Sequence, residues 1–224
     1  MKKLIVVTGG SKGIGRAIAT LFVERGYEAV VCARDVTGIS GEGLLPFAAD
    51  LSTRAGVDAL AAFVATLNRP VDVLVNNTGT FQPGQIQNEA EGTFETLMAT
   101  NVASAYHLTR GLLPGMLTRR QGHIIMMCST ASITPYTNGG SYCISKFALL
   151  GMSKVLREEL KTSGIRVTAL LPGATLTASW EGTDLPPDRF MQAQDVAETV
   201  WAACSLPPTA VLEEILLRPQ LGDI

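Results

Sequence analysis

Histidine and cysteine are scarce, at two and four residues in a chain of 224. Cys32, Cys128, Cys143 and Cys204 lie far apart, without metal-ligand spacing and within or beside predicted strands and helices, so they read as reduced thiols of a cytoplasmic protein. His107 and His123 have no second histidine or acid at ligand spacing, which makes both structural and leaves no metal to expect. A surplus of one charge is also lacking, since 18 Lys and Arg face 20 Asp and Glu for a net charge of −2. That balance offers no broad attraction to phosphate backbones or anionic lipid, so neither nucleic acid nor membrane is an expected partner. No apolar run approaches the roughly 20 residues of a membrane span. Lys2 and Lys3 resemble the head of an export signal, but the apolar stretch behind them ends at Val7. Repeats, low-complexity tracts and linkers are missing too, and with 46% hydrophobic against 17% charged residues the chain is outside the disordered regime. Its length suits one domain, residues 1–224, and a small-molecule ligand.

What is present is an alternation of short β-branched runs with longer segments of helical period, the pattern of parallel strands joined by crossover helices. Strands are predicted at 4–8, 29–32, 44–48, 71–75, 123–128, 166–171 and 214–217. Helices are predicted at 14–25, 54–67, 91–117, 142–162 and 195–205. Residues 36–43 carry Gly38, Ser40, Gly41 and Gly43 and read as a loop where a βαβ unit would normally hold a helix. Right-handed crossovers then give an α/β fold: a single Rossmann-like, doubly wound domain with a parallel sheet of about seven strands flanked by helices.

The first predicted strand runs directly into Thr8-Gly9-Gly10-Ser11-Lys12-Gly13-Ile14-Gly15, and a helix starts inside that loop. Backbone without Cβ atoms can approach a pyrophosphate closely, and free N–H groups at the positive end of a helix dipole hold the anion. The competing reading is that the glycines serve only a tight turn.

Tyr142 and Lys146 stand four apart at the start of a predicted helix, so both project from one face. A free tyrosine is protonated at neutral pH, and a neighbouring ammonium lowers its pKa toward the range useful for general acid-base work. None of Tyr27, Tyr106 or Tyr136 has a lysine four residues later, and only Tyr142 follows a strand end with a hydroxyl residue, Ser129.

With Gly9, Gly13 and Gly15 spaced Gly-x-x-x-Gly-x-Gly and Tyr142-x-x-x-Lys146 downstream, the chain resembles the short-chain dehydrogenase/reductase family along its length. The resemblance implies a nicotinamide-dependent oxidoreductase. It assigns Gly9, Ser11, Lys12, Gly13, Ile14 and Gly15 to the cofactor phosphates, Asp50 and Leu51 to the adenine, and Asn77 and Gly79 to the turn after the fourth strand. Thr78 departs from the family's alanine there. It assigns Asn101 to a proton-relay water, Ser129 to substrate orientation, Tyr142 to proton transfer, and Lys146 to the nicotinamide ribose. Pro172, Gly173, Thr175 and Thr177 match the stretch that meets the nicotinamide carboxamide. Residues 176–191 correspond to a substrate lid, in which Trp180 either covers a flat substrate or anchors the loop. Ala33 replaces the acid of NAD-using relatives, and Arg34 with Lys12 suits a 2′-phosphate, so NADP(H) is expected over NAD(H); the alternative has Asp35 binding the ribose.

The C-terminal stretch 211–224 resembles bacterial sepiapterin-reductase-like members, which implies a small carbonyl substrate such as a pteridine side-chain ketone. Rival readings are a 3-oxoacyl-thioester reductase, an alcohol dehydrogenase, or a non-catalytic cofactor-binding regulator. Family members pair through the two long helices as homodimers or homotetramers. Met126 and Met127 are expected in the core, Tyr106 and Arg110 as a helical pair, and Cys143 as a non-nucleophilic neighbour of Tyr142.

Overall fold

A computed structural model describes residues 1–180 and 182–224 of the chain. Its sheet has seven strands: β1 Leu4–Thr8, β2 Glu28–Ala33, β3 Leu44–Ala48, β4 Val73–Asn76, β5 Gly122–Met127, β6 Ile165–Pro172 and β7 Glu214–Leu217. They lie in the order β3-β2-β1-β4-β5-β6-β7, and all neighbouring pairs are parallel. Every residue of β1, β4 and β5 is buried, whereas the edge strands β3 and β7 are partly exposed. A parallel sheet covered on both faces requires this composition.

Side-chain alternation sends successive residues to opposite cores. Ile5, Val7, Val31 and Val75 pack with residues of α1 (Gly13–Glu24) and α6 (Ala193–Ser205). Leu4, Val6, Val30 and Leu74 pack on the other face with α2 (Arg54–Thr66), α4 (Ser104–Arg119) and α5 (Gly140–Leu160). In α1 the stripe Ile18, Leu21 and Phe22 is buried, and Gly26 at φ 90° ends the turn that follows. Thr53 caps α2 by accepting a hydrogen bond from Gly56 N at 3.1 Å.

Two local features shape the site. The β2-to-β3 connection is a loop, as its glycines imply, and Ile39, only 7% exposed, plugs the core that a crossover helix would cover. The predicted helix 91–117 is divided into α3 (Thr93–Met98), a π-helical turn Ala99–Ala103, and α4. Because β1 lies between β2 and β4, the chain reverses direction across the sheet there, opening a crevice at the carboxyl ends of the strands.

Candidate active site

The glycine loop leaves β1 at this crevice. Thr8 Oγ1 accepts from the backbone N–H groups of Asn77 and Thr78, both at 2.9 Å, and donates to Val75 O at 3.2 Å. Asn77 Nδ2 donates to Thr8 O at 2.8 Å and Gly9 O at 3.1 Å, so the end of β4 fastens the loop. A Cβ on Gly10 would stand 2.5 Å from Val31 Cγ1, and one on Gly15 would stand 2.5 Å from Asn77 Nδ2. Packing alone therefore excludes side chains at Gly10 and Gly15. The N-terminus of α1 has neither a side-chain cap nor an acid in its first turn, which leaves its N–H groups for an anion. Gly13, at φ 56°, faces Thr177.

Arg34, just past β2, and Lys12, in the loop between β1 and α1, are exposed and make no ion pair among the described residues. Asp35 accepts the Thr37 N–H at 2.8 Å, and hydrogen bonding from Thr37 holds its carboxyl below the usual range. Asp50 is held low chiefly by hydrogen bonds from Ser52, with Arg34's charge adding a smaller effect. Arg34 and Asp50 thus flank the same rim, and Asp35 is turned into its own loop.

Tyr142 and Lys146 both lie on α5. Lys146 is 7% exposed, and its Nζ donates to Met127 O at 2.9 Å and Cys128 O at 3.4 Å. The same Nζ lies 5.8 Å from the Tyr142 ring centroid. Ser129 follows β5 after the intervening Cys128, its Oγ accepts from Ala131 N at 3.1 Å, and the short helix Thr130–Ser132 packs against α5. Asn101 sits in the π-helical turn; its Oδ1 accepts from Thr80 N at 2.8 Å, and its Nδ2 donates to Thr80 O at 3.0 Å and Ser145 Oγ at 2.9 Å. Ser145 Oγ in turn donates to Tyr142 O at 2.7 Å. A network therefore joins the β4 turn to the helix carrying Tyr142, with both Nδ2 hydrogens of Asn101 committed to protein partners.

Gly79 belongs to this enclosure: a Cβ there would stand 3.4 Å from Asn101 Oδ1 and 3.7 Å from Lys146 Nζ. Pro172 ends β6, Gly173 N donates to Leu217 O at 2.8 Å, and Thr175 Oγ1 donates to Gly173 O at 3.1 Å. Across the 176–191 segment, whose residue 181 lies outside the described residues, Trp180 packs edge-on against Phe190 at 4.9 Å. That contact favours anchoring for at least part of the indole.

Cys128, beside Ser129, has its thiol pushed up to about 11 by burial, so it is protonated at neutral pH and poorly suited to nucleophilic work. His123 is buried against Thr168, 2.8 Å from Nε2 to Oγ1. Arg110 stacks over Tyr106 at 5.5 Å. Met126 and Met127 are core residues. Among the described residues no group of three metal-ligating side chains gathers, and no helix is long and apolar enough to cross a membrane. Two neighbours of Tyr142 lack any local sequence signal: Phe81, whose ring meets the Tyr142 ring edge-on at 4.9 Å, and Glu89, bonded to Ser141.

Comparison with known proteins agrees with this geometry. The family model for short chain dehydrogenases matches residues 3–185. The chain belongs to the short-chain dehydrogenase family. It is 33% identical to a sepiapterin reductase of Chlorobaculum tepidum, covering 100% of this chain and 99% of that protein. It is 30% identical to an NADP-dependent 3-hydroxy acid dehydrogenase of Salmonella typhi, covering 96% and 94%. Among solved structures, a metagenomic short-chain oxidoreductase in complex with NADP superposes with a TM-score of 0.83 at 30% identity, covering 97% of each chain. A short-chain dehydrogenase from Streptomyces avermitilis gives 0.86 at 26% identity, covering 96% of this chain and 88% of that one.

As a short-chain dehydrogenase, the chain is an oxidoreductase, and its crevice fits a nicotinamide dinucleotide on its own observations. The uncapped start of α1 suits a pyrophosphate. Lys146 carries three donors, of which backbone carbonyls take two. Gly79 leaves room beside that amine which a side chain would occupy.

Proposed function

We propose that this short-chain dehydrogenase reduces a small carbonyl compound with NADPH, using Tyr142 as the general acid. The observation that carries the reading is the buried Lys146 ammonium, fixed by the Met127 and Cys128 carbonyls 5.8 Å from the Tyr142 ring centroid. Negative charge forming on the phenol oxygen during proton transfer meets a preorganised cation there. When bound, the nicotinamide supplies the hydride to the carbonyl carbon. Tyr142 delivers the proton to the carbonyl oxygen, Ser129 orients that oxygen, and the third N–H of Lys146 serves the ribose hydroxyls. Asn101 keeps the Thr80 turn and α5 in register through Oδ1 and Nδ2, and the second lone pair of Oδ1 is offered to a relay water. A non-catalytic regulator is disfavoured by the intact Tyr142, Lys146 and Asn101 arrangement.

The exposed Arg34 and Lys12, with Asp35 engaged by Thr37, support a preference for NADP(H) over NAD(H). Asp50, Leu51, Pro172, Gly173, Thr175 and Thr177 complete the cofactor crevice. The similarity to a sepiapterin reductase supports a pteridine side-chain ketone as substrate. Phe81, 40% exposed beside Tyr142, and the lid residue Trp180 offer rings to a flat molecule. The whole chain acts as one domain. Exposed Tyr106, Leu117, Ile144, Phe147 and Val155 on α4 and α5 support pairing of two copies through these helices. Four free cysteines accord with a cytoplasmic setting.

The test is Tyr142→Phe, assayed by NADPH oxidation against a panel of small ketones and by NADPH binding. Turnover is expected to vanish while cofactor affinity stays within about twofold. Wild-type turnover in the variant would overturn the reading.

A further inference from the structure

We infer that Glu89 is a positioning residue whose carboxylate clamps the first turn of α5 and so sets the place of Tyr142; the inference rests on the acid role proposed for Tyr142. The start of α5 needs an outside acceptor, because Gly139 at its N-cap has no side chain to cap with. Glu89, 52 residues earlier, supplies it: Oε1 accepts the Ser141 N–H at 2.7 Å, and Oε2 accepts the Ser141 hydroxyl. Ser141 is 2% exposed, immediately before Tyr142 in the same turn. A carboxylate at this end also suits the helix dipole.

The surrounding backbone is shaped around that carboxylate. A Cβ on Gly140 would fall on Glu89 Oε1 and 2.7 Å from Gly84 O, and a Cβ on Gly84 would stand 2.6 Å from Glu89 Cγ. Gly84 N donates to Asn138 O at 3.0 Å, and Gly84 pairs with Gly139 in a parallel bridge. Glu89 N donates to Gln85 O at 2.9 Å, closing the loop that presents the carboxylate. The same β4-to-α3 connection carries Phe81, whose ring meets Tyr142. One segment therefore holds the tyrosine at two points, the ring through Phe81 and the backbone through Glu89. Misplacing a reacting group by an ångström costs up to about 100-fold in rate, so the clamp belongs to catalysis as well as to helix stability.

The test compares Glu89→Ala, Glu89→Gln and Gly140→Ala with the wild type, using 1-phenylpropane-1,2-dione as the carbonyl probe and NADPH or its 4-deuterated form. Glu89→Ala is expected to lower kcat about tenfold, raise the deuterium isotope effect on kcat, and leave the KM for NADPH within about twofold. Glu89→Gln, whose amide can accept the Ser141 N–H and donate to its hydroxyl, should recover kcat to within about threefold. Gly140→Ala should reproduce the Glu89→Ala defect by evicting the carboxylate, although alanine favours a helix. Unchanged kcat in folded Glu89→Ala, or equal loss in Glu89→Gln, would overturn the inference. Tyr142→Phe run alongside separates the two claims: if it is inactive while Glu89→Ala is wild-type, only the clamp fails, whereas an active Tyr142→Phe removes the acid role itself.

Discussion

Gly15→Ala probes the cofactor crevice at its tightest point. Gly15 has no left-handed backbone, so alanine can adopt its conformation and should gain about 1 kcal/mol of helix preference. Packing opposes this. The new Cβ would stand 2.5 Å from Asn77 Nδ2 and 3.0 Å from Gly10 Cα, closer still to Gly9 O, whereas ordinary contact begins at 3.4 Å. The loop or Asn77 must therefore retreat by about 0.9 Å. That movement breaks the Asn77 bonds to Thr8 O and Gly9 O, each worth about 1 kcal/mol net, and adds about 1–3 kcal/mol of overpacking. The expected net destabilisation is about 2–4 kcal/mol, a fall in Tm of about 4–16 °C for a chain of this size. Because the displaced backbone carries the N–H groups assigned to the pyrophosphate, the NADPH Kd should rise at least about tenfold, or about 1.4 kcal/mol. Calorimetry of the ligand-free protein and titration with NADPH measure the two effects. Gly115→Ala, in α4 with nothing within 4 Å of its Cβ, serves as the helix-propensity control and should be stabilised. Wild-type Tm together with wild-type NADPH affinity in Gly15→Ala would refute the account of the loop.

Arg34→Ala should weaken NADPH by about 10–100-fold, the loss of a charge-assisted phosphate contact of about 1.5–3 kcal/mol, and change NADH by less than about twofold. An equal effect on both cofactors would remove Arg34 from phosphate recognition. His123 should give the fold an acid-sensitive term, because burial holds its pKa down to about 3 against about 6.5 in the unfolded chain. As pH falls through 6.5 the unfolded chain takes up a proton that the folded one refuses until about pH 3, so stability declines across that window. The loss is about 2 kcal/mol at pH 5. Urea midpoints followed from pH 8 to 5 should show this slope in the wild type and a flatter one in His123→Asn; an identical slope in both would assign the acid sensitivity elsewhere.

Much of this protein is written in local sequence. Alternation of apolar runs and helical stripes locates the strands and most helices, because each side chain's partition between water and core depends on its own polarity and its neighbours' spacing. Gly38, Gly41 and Gly43 likewise announce a loop between β2 and β3. Tyr142 and Lys146 share a helix, so their proximity needs nothing beyond a rise per residue. Tertiary structure decided the rest. The period of 91–117 gives no hint of the π-helical turn that carries Asn101, since that turn is tied to contacts with Thr80 and Ser145 from other elements. Phe81 and Glu89 occupy a connection with no regular period, and they acquire meaning only when strand order brings β4 beside β5 and the loops at their ends over the start of α5. A lysine's charge is likewise visible in sequence, but its burial against the Met127 and Cys128 carbonyls is not. Short-range spacing follows from backbone geometry, whereas contacts between distant segments depend on how the whole sheet is ordered.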